Sequence, residues 1–92
     1  MYTLVIYDIP DDNLRTKISD ICKRFGLEAL QRSAYGGRIS SGIKKELVAA
    51  LERIMKKNDG NVKIYSICDV DLKLLIDIGS PVFEAKGKEF LV

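Results

Sequence analysis

The stretch that decides how this chain folds is YTLVIYDIP, Tyr2 to Pro10. It is a run of strand formers that ends in an acid, resumes at Ile9 and is stopped by Pro10. With the two-residue period of a strand, Leu4, Ile6 and Asp8 share one face, and Thr3, Val5, Tyr7 and Ile9 share the other. Both faces are largely apolar. This predicts a central strand covered on both sides, or covered by helices on one side and by another subunit on the other. Asp8 then has two readings. It is a strand-end carboxylate accepting loop N–H bonds, as in many Asp-Ile-Pro turns, or it is a site.

Outward from this strand, Pro10, Asp11, Asp12 and Asn13 read as loop and helix-cap residues. Leu14, Ile18, Ile21, Cys22 and Phe25 then recur at helical spacing, and Gly26 closes the helix. Leu27–Tyr35 reads as a second strand, Gly36-Gly37 as a hairpin turn, and Arg38-Ile39 as the start of a short third strand. Ser40 or Ser41 caps a second helix with the stripe Ile43, Leu47, Ala50, Leu51, Ile54 and Met55. After the turn Asp59-Gly60 comes a fourth alternating strand, NVKIYSIC. The connector DVDLK leads to a last apolar segment, Leu74–Ile78, and to Gly79-Ser80-Pro81.

The order β-α-β-β-α-β is the α+β, ferredoxin-like plan, with an extra C-terminal strand and a tail. The expected division is a core over residues 1–79 and a tail over 80–92 that pairs with a partner subunit. Two helices cover one sheet face. An apolar second face left to water would be an exposed patch of the kind soluble proteins avoid, so a homodimer packed sheet face to sheet face is expected. A strand beyond the fold's four would blunt a sheet edge of the partner.

Ninety-two residues make one domain, 47% hydrophobic and 30% charged. There is no histidine, which closes imidazole routes to zinc binding, triad chemistry and general-base work. Catalysis would have to rest on carboxylates, hydroxyls, Lys or Tyr with a hard metal. Cys22 and Cys68 each sit in an apolar pattern and read as reduced thiols. No apolar run is long enough to span a bilayer and no secretory leader is evident, so a soluble, cytoplasmic chain is expected. The net charge of +2 hints at an anionic partner. Arg15, Lys17, Arg32, Arg38, Lys44 and Lys45 are the candidates for a phosphate-binding surface. Arg15 stands out because a cation in the first turn of a helix opposes the helix dipole.

One ordered set of motifs is more specific. It comprises Tyr7-Asp8-Ile9 after an apolar first strand, Arg15 and Lys17 opening helix one, Gly26 closing it, QRSAYGG from Gln31 to Gly37, and IYSIC from Ile64 to Cys68. In these the chain resembles the CRISPR-associated protein 2 family, the small subunit of the spacer-acquisition machinery, over most of its length. Where that family usually has an acid and a glycine after a Ser-Val-Phe stretch, this chain has Ser33-Ala34-Tyr35-Gly36-Gly37, without the acid.

The resemblance implies a ferredoxin-like homodimer in which Asp8 and its two-fold mate hold one divalent metal, Mg²⁺ or Mn²⁺. It implies a dimer that bridges integrase subunits and holds double-stranded DNA. It also implies Mg²⁺-dependent endonuclease activity, on single-stranded RNA or duplex DNA, in those members that cleave. One carboxylate cannot fix Mg²⁺, whereas a two-fold pair with water and a phosphate oxygen can. Such a sparse site would cleave slowly, with the hydroxyls of Tyr7 and Ser33 in support. Two other readings of the fold are an RNA-recognition module and a regulatory, ligand-sensing module without catalysis. The first wants aromatics in a basic third strand, which the sequence around Arg38-Ile39 lacks.

Overall fold

β1, Tyr2–Asp8, forms where the alternating pattern placed it and lies inside the sheet. The computed structural model describes residues 1–81. Thr3, Val5, Tyr7 and Ile9 are buried, while Leu4 is half-buried and Ile6 and Asp8 are exposed. The two faces of β1 therefore differ as the period-2 reading requires, with one packed and one open.

α1, Asp12–Arg24, starts at Asp11, whose Oδ2 accepts from the Leu14 backbone N–H at 2.8 Å. It ends in a Schellman motif. Leu27 N–H donates to the Cys22 carbonyl and Gly26 N–H to the Lys23 carbonyl, with Gly26 at φ +97°. α2, Ser41–Met55, is capped by Ser40, whose Oγ accepts from Ile43 N–H at 3.1 Å. Leu14, Ile18, Ile21 and Cys22 of α1 and Leu47 and Leu51 of α2 pack with Val5, Tyr7 and Ile9 into one core. Val5, Ile18 and Leu47 are fully buried, and each such side chain contributes about 1.5–3 kcal/mol of transfer free energy.

β2, Glu28–Gln31, and β3, Ala34–Arg38, join β1 and β4, Asn61–Ile67, in an antiparallel sheet of order β2-β3-β1-β4. This is the expected ferredoxin-like plan. The hairpin, however, turns at Arg32-Ser33, not at Gly36-Gly37, and Ser33 takes the left-handed conformation with φ +61°. Both glycines lie inside β3 because other groups approach the backbone there. A Cβ on Gly36 would sit 2.8 Å from the Tyr2 ring, and one on Gly37 would sit 3.2 Å from the Gly26 carbonyl oxygen.

The DVDLK connector is a short helix, α3, Asp69–Lys73. Leu74, Leu75, Ile76 and Ile78 follow with 66–88% exposure and no strand pairing, so the extra strand is not formed by the described residues. The rest of the tail expected to pair with a partner lies outside them.

The open sheet face has two parts. Tyr2 pairs across with Ile67 and Leu4 with Tyr65, and with Ile6 they make an apolar zone in which Ile6 is 41% and Tyr65 46% exposed. At the other end, Asp8 stands opposite Asn61, and Lys63 stands opposite Ile6.

Candidate functional site

Asp8 is the last residue of β1, and three local features fix its backbone. Its Cα partner on β4 is Asn61. On the β3 side the ladder ends with Ile6 opposite Ala34, followed by the Tyr7 N–H donating to the Ser33 carbonyl at 3.0 Å. Gly60, at φ +130°, lies so close that a Cβ there would come within 2.6 Å of Ile9 Cδ1 and 3.0 Å of the Asp8 carbonyl oxygen.

The Asp8 side chain points to solvent on the open face. Among the described residues its carboxylate makes no hydrogen bond or ion pair. The loop N–H bonds that the strand-end reading gave to Asp8 are not made, and the cap of α1 is Asp11, within the stretch expected to hold it. A carboxylate left unpaired beside an apolar surface is a candidate ligand for a cation.

Beside it lies a cleft of about 760 Å³, bounded by the end of β1, one side of α1 and the β2–β3 turn. Asp8, Tyr7, Arg15, Arg32 and Ser33 all line it, so the structure brings together five of the nine residues singled out from the sequence. The Tyr7 and Tyr35 rings stack with centroids 6.4 Å apart, and the Tyr35 and Ser19 hydroxyls share a hydrogen bond of 2.5 Å. Burial, followed by the adjacent Tyr35, pushes the Tyr7 phenol well above its ordinary value, and it stays protonated at any physiological pH.

The other four lie elsewhere: Lys44 and Lys45 are in the first turns of α2, where the Lys44 ammonium donates to the Ser66 hydroxyl. Lys17 borders a groove between α1 and α2 with Arg24 and Arg53. Arg38 pairs with Tyr2 at the far end of β1, about 20 Å from Asp8 at a strand's rise per residue. There its Nη1 meets Asp69 Oδ1 at 2.6 Å, and that contact holds the Asp69 carboxyl below its ordinary value.

Two neighbours of Asp8 escaped the sequence reading. Asn61 is its cross-strand partner, and Lys63 Nζ donates to Asn61 Oδ1 at 2.7 Å, which brings an ammonium group to the polar end of the open face. Their signal was the antiparallel register: counting back from Leu4 opposite Tyr65 sets Asn61 against Asp8.

Comparison with known proteins bears on this geometry. The family model described as CRISPR associated protein Cas2 matches residues 1–73. The chain belongs to the Cas2 family. A protein of Pyrobaculum aerophilum named CRISPR-associated endoribonuclease Cas2 2 is 40% identical over 81 residues, covering 88% of this chain and 89% of that one. A protein of Thermoproteus tenax named CRISPR-associated endonuclease Cas1/endonuclease Cas2 fusion is 37% identical over 67 residues, covering 73% of this chain and 25% of that one.

A solved structure titled "Crystal structure of cas2" superposes with a TM-score of 0.66 at 30% identity, covering 91% of this chain and 95% of its own. Cas2 of Streptococcus pyogenes gives a TM-score of 0.71 at 15% identity, covering 86% of this chain and all of that one, and shares the fold. No helix among the described residues is long and apolar enough to cross a membrane.

Proposed function

We propose that this Cas2 chain works as a homodimer in CRISPR spacer acquisition, bridging integrase subunits and holding nucleic acid. We further propose that the Asp8 carboxylates of two copies hold one divalent cation for phosphodiester cleavage. The carrying observation is the free, exposed Asp8 carboxylate at the polar end of an otherwise apolar open sheet face. Packing that face on a second copy would bury Leu4, Ile6 and Tyr65, and a two-fold axis passing near the Asp8 end of the face would bring the two carboxylates together. The exposed segment Leu74–Ile78 is available to add to the partner's sheet edge. The Thermoproteus fusion, with both names in one chain, supports an integrase partner.

The donor chemistry suits Mg²⁺ or Mn²⁺, since carboxylate oxygens are hard ligands, but only as a pair. Among the described residues no three Asp, Glu, Cys or His side chains cluster in one chain. A cation held there would polarise the phosphodiester and lower the pKa of a bound water. The remaining work falls to the chain's own groups. Arg32 and Lys63 attract the phosphate backbone, and the Tyr7 phenol and Ser33 hydroxyl donate hydrogen bonds within the cleft. Lys17 and Arg38, away from Asp8, serve duplex binding without cleavage.

The same lack of a three-ligand cluster favours a second reading, in which the dimer is architectural and cleaves nothing. Asp8→Asn separates the two. Under the nuclease reading it abolishes Mg²⁺-dependent cleavage of single-stranded RNA or duplex DNA and leaves dimerisation and DNA binding intact. Wild-type protein that cleaves neither substrate, yet supports spacer insertion with or without Asp8, establishes the architectural one. A chain that is monomeric and binds neither nucleic acid nor the integrase subunit refutes both.

A further inference from the structure

From the bonds made by Arg15, we infer that this residue positions the Asp8 metal site by clamping the loop that follows β1, and does not contact phosphate. The inference rests on the reading of Asp8 as a metal ligand. Arg15 sits in the first turns of α1, and its Nη1 donates to the Ile9 carbonyl at 2.9 Å and to the Pro10 carbonyl at 3.3 Å. Its Nη2 meets Asp12 Oδ1, three residues earlier on the same helix. One guanidinium thus takes two successive carbonyls just after Asp8, and its charge is matched by a carboxylate.

The loop needs such a clamp. Beyond Asp8 the sheet supplies little, because β3 pairing has already ended at Ile6 and β4 begins at Asn61. Pro10 has no N–H with which to make a bond of its own. Ile9 is anchored in the core, and Asp11 caps α1 through Leu14. Arg15 ties these two anchors together from the helix side. The guanidinium sets Nη1 on the two carbonyls and Nη2 on the carboxylate from one rigid plane, whereas a lysine would have to serve all three from a single nitrogen on a flexible stem. The cost of a cation in the first turn of a helix is thereby explained, since the charge is used on the loop carbonyls and on Asp12.

The test uses the full chain and Mn²⁺ alone as probe. Arg, Lys and Ala have similar helix propensities, so Arg15→Ala and Arg15→Lys leave α1 intrinsically intact. We expect both to weaken Mn²⁺ binding about tenfold, the lower end of what supporting groups around a metal contribute. We expect amide exchange at Leu14, whose N–H rests on Asp11, to quicken in metal-free protein, with the middle of α1 unchanged. The salt dependence of nucleic-acid binding should stay as in wild type.

A phosphate-contact role predicts the reverse: Mn²⁺ affinity unchanged and the slope of log affinity against log salt reduced by about 0.7–0.9 in Arg15→Ala. That result overturns the inference. So does faster Leu14 exchange with unchanged Mn²⁺ affinity, which would make Arg15 a support for the fold only. A wild-type protein that binds no Mn²⁺ overturns the reading of Asp8 itself and the inference with it.

Discussion

Replacing Ile6 by Ala tests whether the open sheet face is an interface. Ile6 lies on that face between Leu4 and Asp8 and is 41% exposed. Fully burying an isoleucine side chain is worth about 2–3 kcal/mol, so the part still exposed would contribute about 1 kcal/mol when a second copy covers it. A two-fold interface uses the residue twice, giving about 2 kcal/mol per dimer. At 1.4 kcal/mol per factor of ten, Ile6→Ala should weaken dimerisation about thirtyfold.

Sedimentation equilibrium over a concentration series measures this, with circular dichroism confirming that the fold persists. Ile43→Ala is the control. Ile43 is also an isoleucine, 37% exposed, but it lies at the start of α2. Its replacement should leave the dimer constant unchanged. Equal constants for wild type and Ile6→Ala would refute the face-to-face arrangement, and a larger loss in Ile43→Ala would point to the helical face.

Other consequences concern stability and binding. Leu47 is fully buried where α2 meets the sheet, and Leu47→Ala should cost about 2–5 kcal/mol in urea unfolding; a loss under about 1 kcal/mol would contradict the packing. Burial pushes the Cys22 thiol from its ordinary 9.0 up to about 12, so above pH 9 the unfolded chain releases a proton that the folded chain retains. Stability should therefore fall as pH rises from 9 towards 12, by up to about 1.4 kcal/mol per pH unit, with Tyr7 adding a like loss above pH 10. Cys22→Ala should flatten the first part of that curve, and an unchanged slope would show that the thiol is not the group responsible. Arg32 has no ion pair among the described residues, whereas Asp69 offsets Arg38, so Arg32→Ala should reduce the salt slope of nucleic-acid binding by about 0.7–0.9 and Arg38→Ala by less. Equal reductions would show that the Arg38–Asp69 pair opens on binding.

The elements were legible where a period was long and clean. β1 showed its two faces by alternation, and burial of Val5 and Tyr7 against exposure of Ile6 and Asp8 follows that pattern. The stripes of α1 and α2 likewise predicted Ile18, Leu47 and Leu51 in the core. The hairpin was misplaced because Gly36-Gly37 is a common turn signal, whereas these glycines make room for the Tyr2 ring and for the Gly26–Leu27 backbone. Only tertiary approach decides between those uses, and local sequence does not record it.

The site was half legible for the same reason. Asp8, Tyr7, Arg15, Arg32 and Ser33 converge because β1, α1 and the β2–β3 turn meet at one end of the sheet. A turn at Gly36-Gly37 would set Arg38 beside the hairpin, whereas the turn at Arg32-Ser33 leaves it at the opposite end of the sheet, across from Tyr2. Asn61 and Lys63 emerged only once the β1–β4 register was known.

Two Asp8 carboxylates that meet across a two-fold axis would share one divalent cation between two chains. Mn²⁺ titration of the purified protein, read by the loss of the free-ion electron paramagnetic resonance signal, tests it directly. One tightly held ion for every two chains is expected, lost in Asp8→Asn while the dimer persists. One ion per chain, or binding that survives Asp8→Asn, would contradict it.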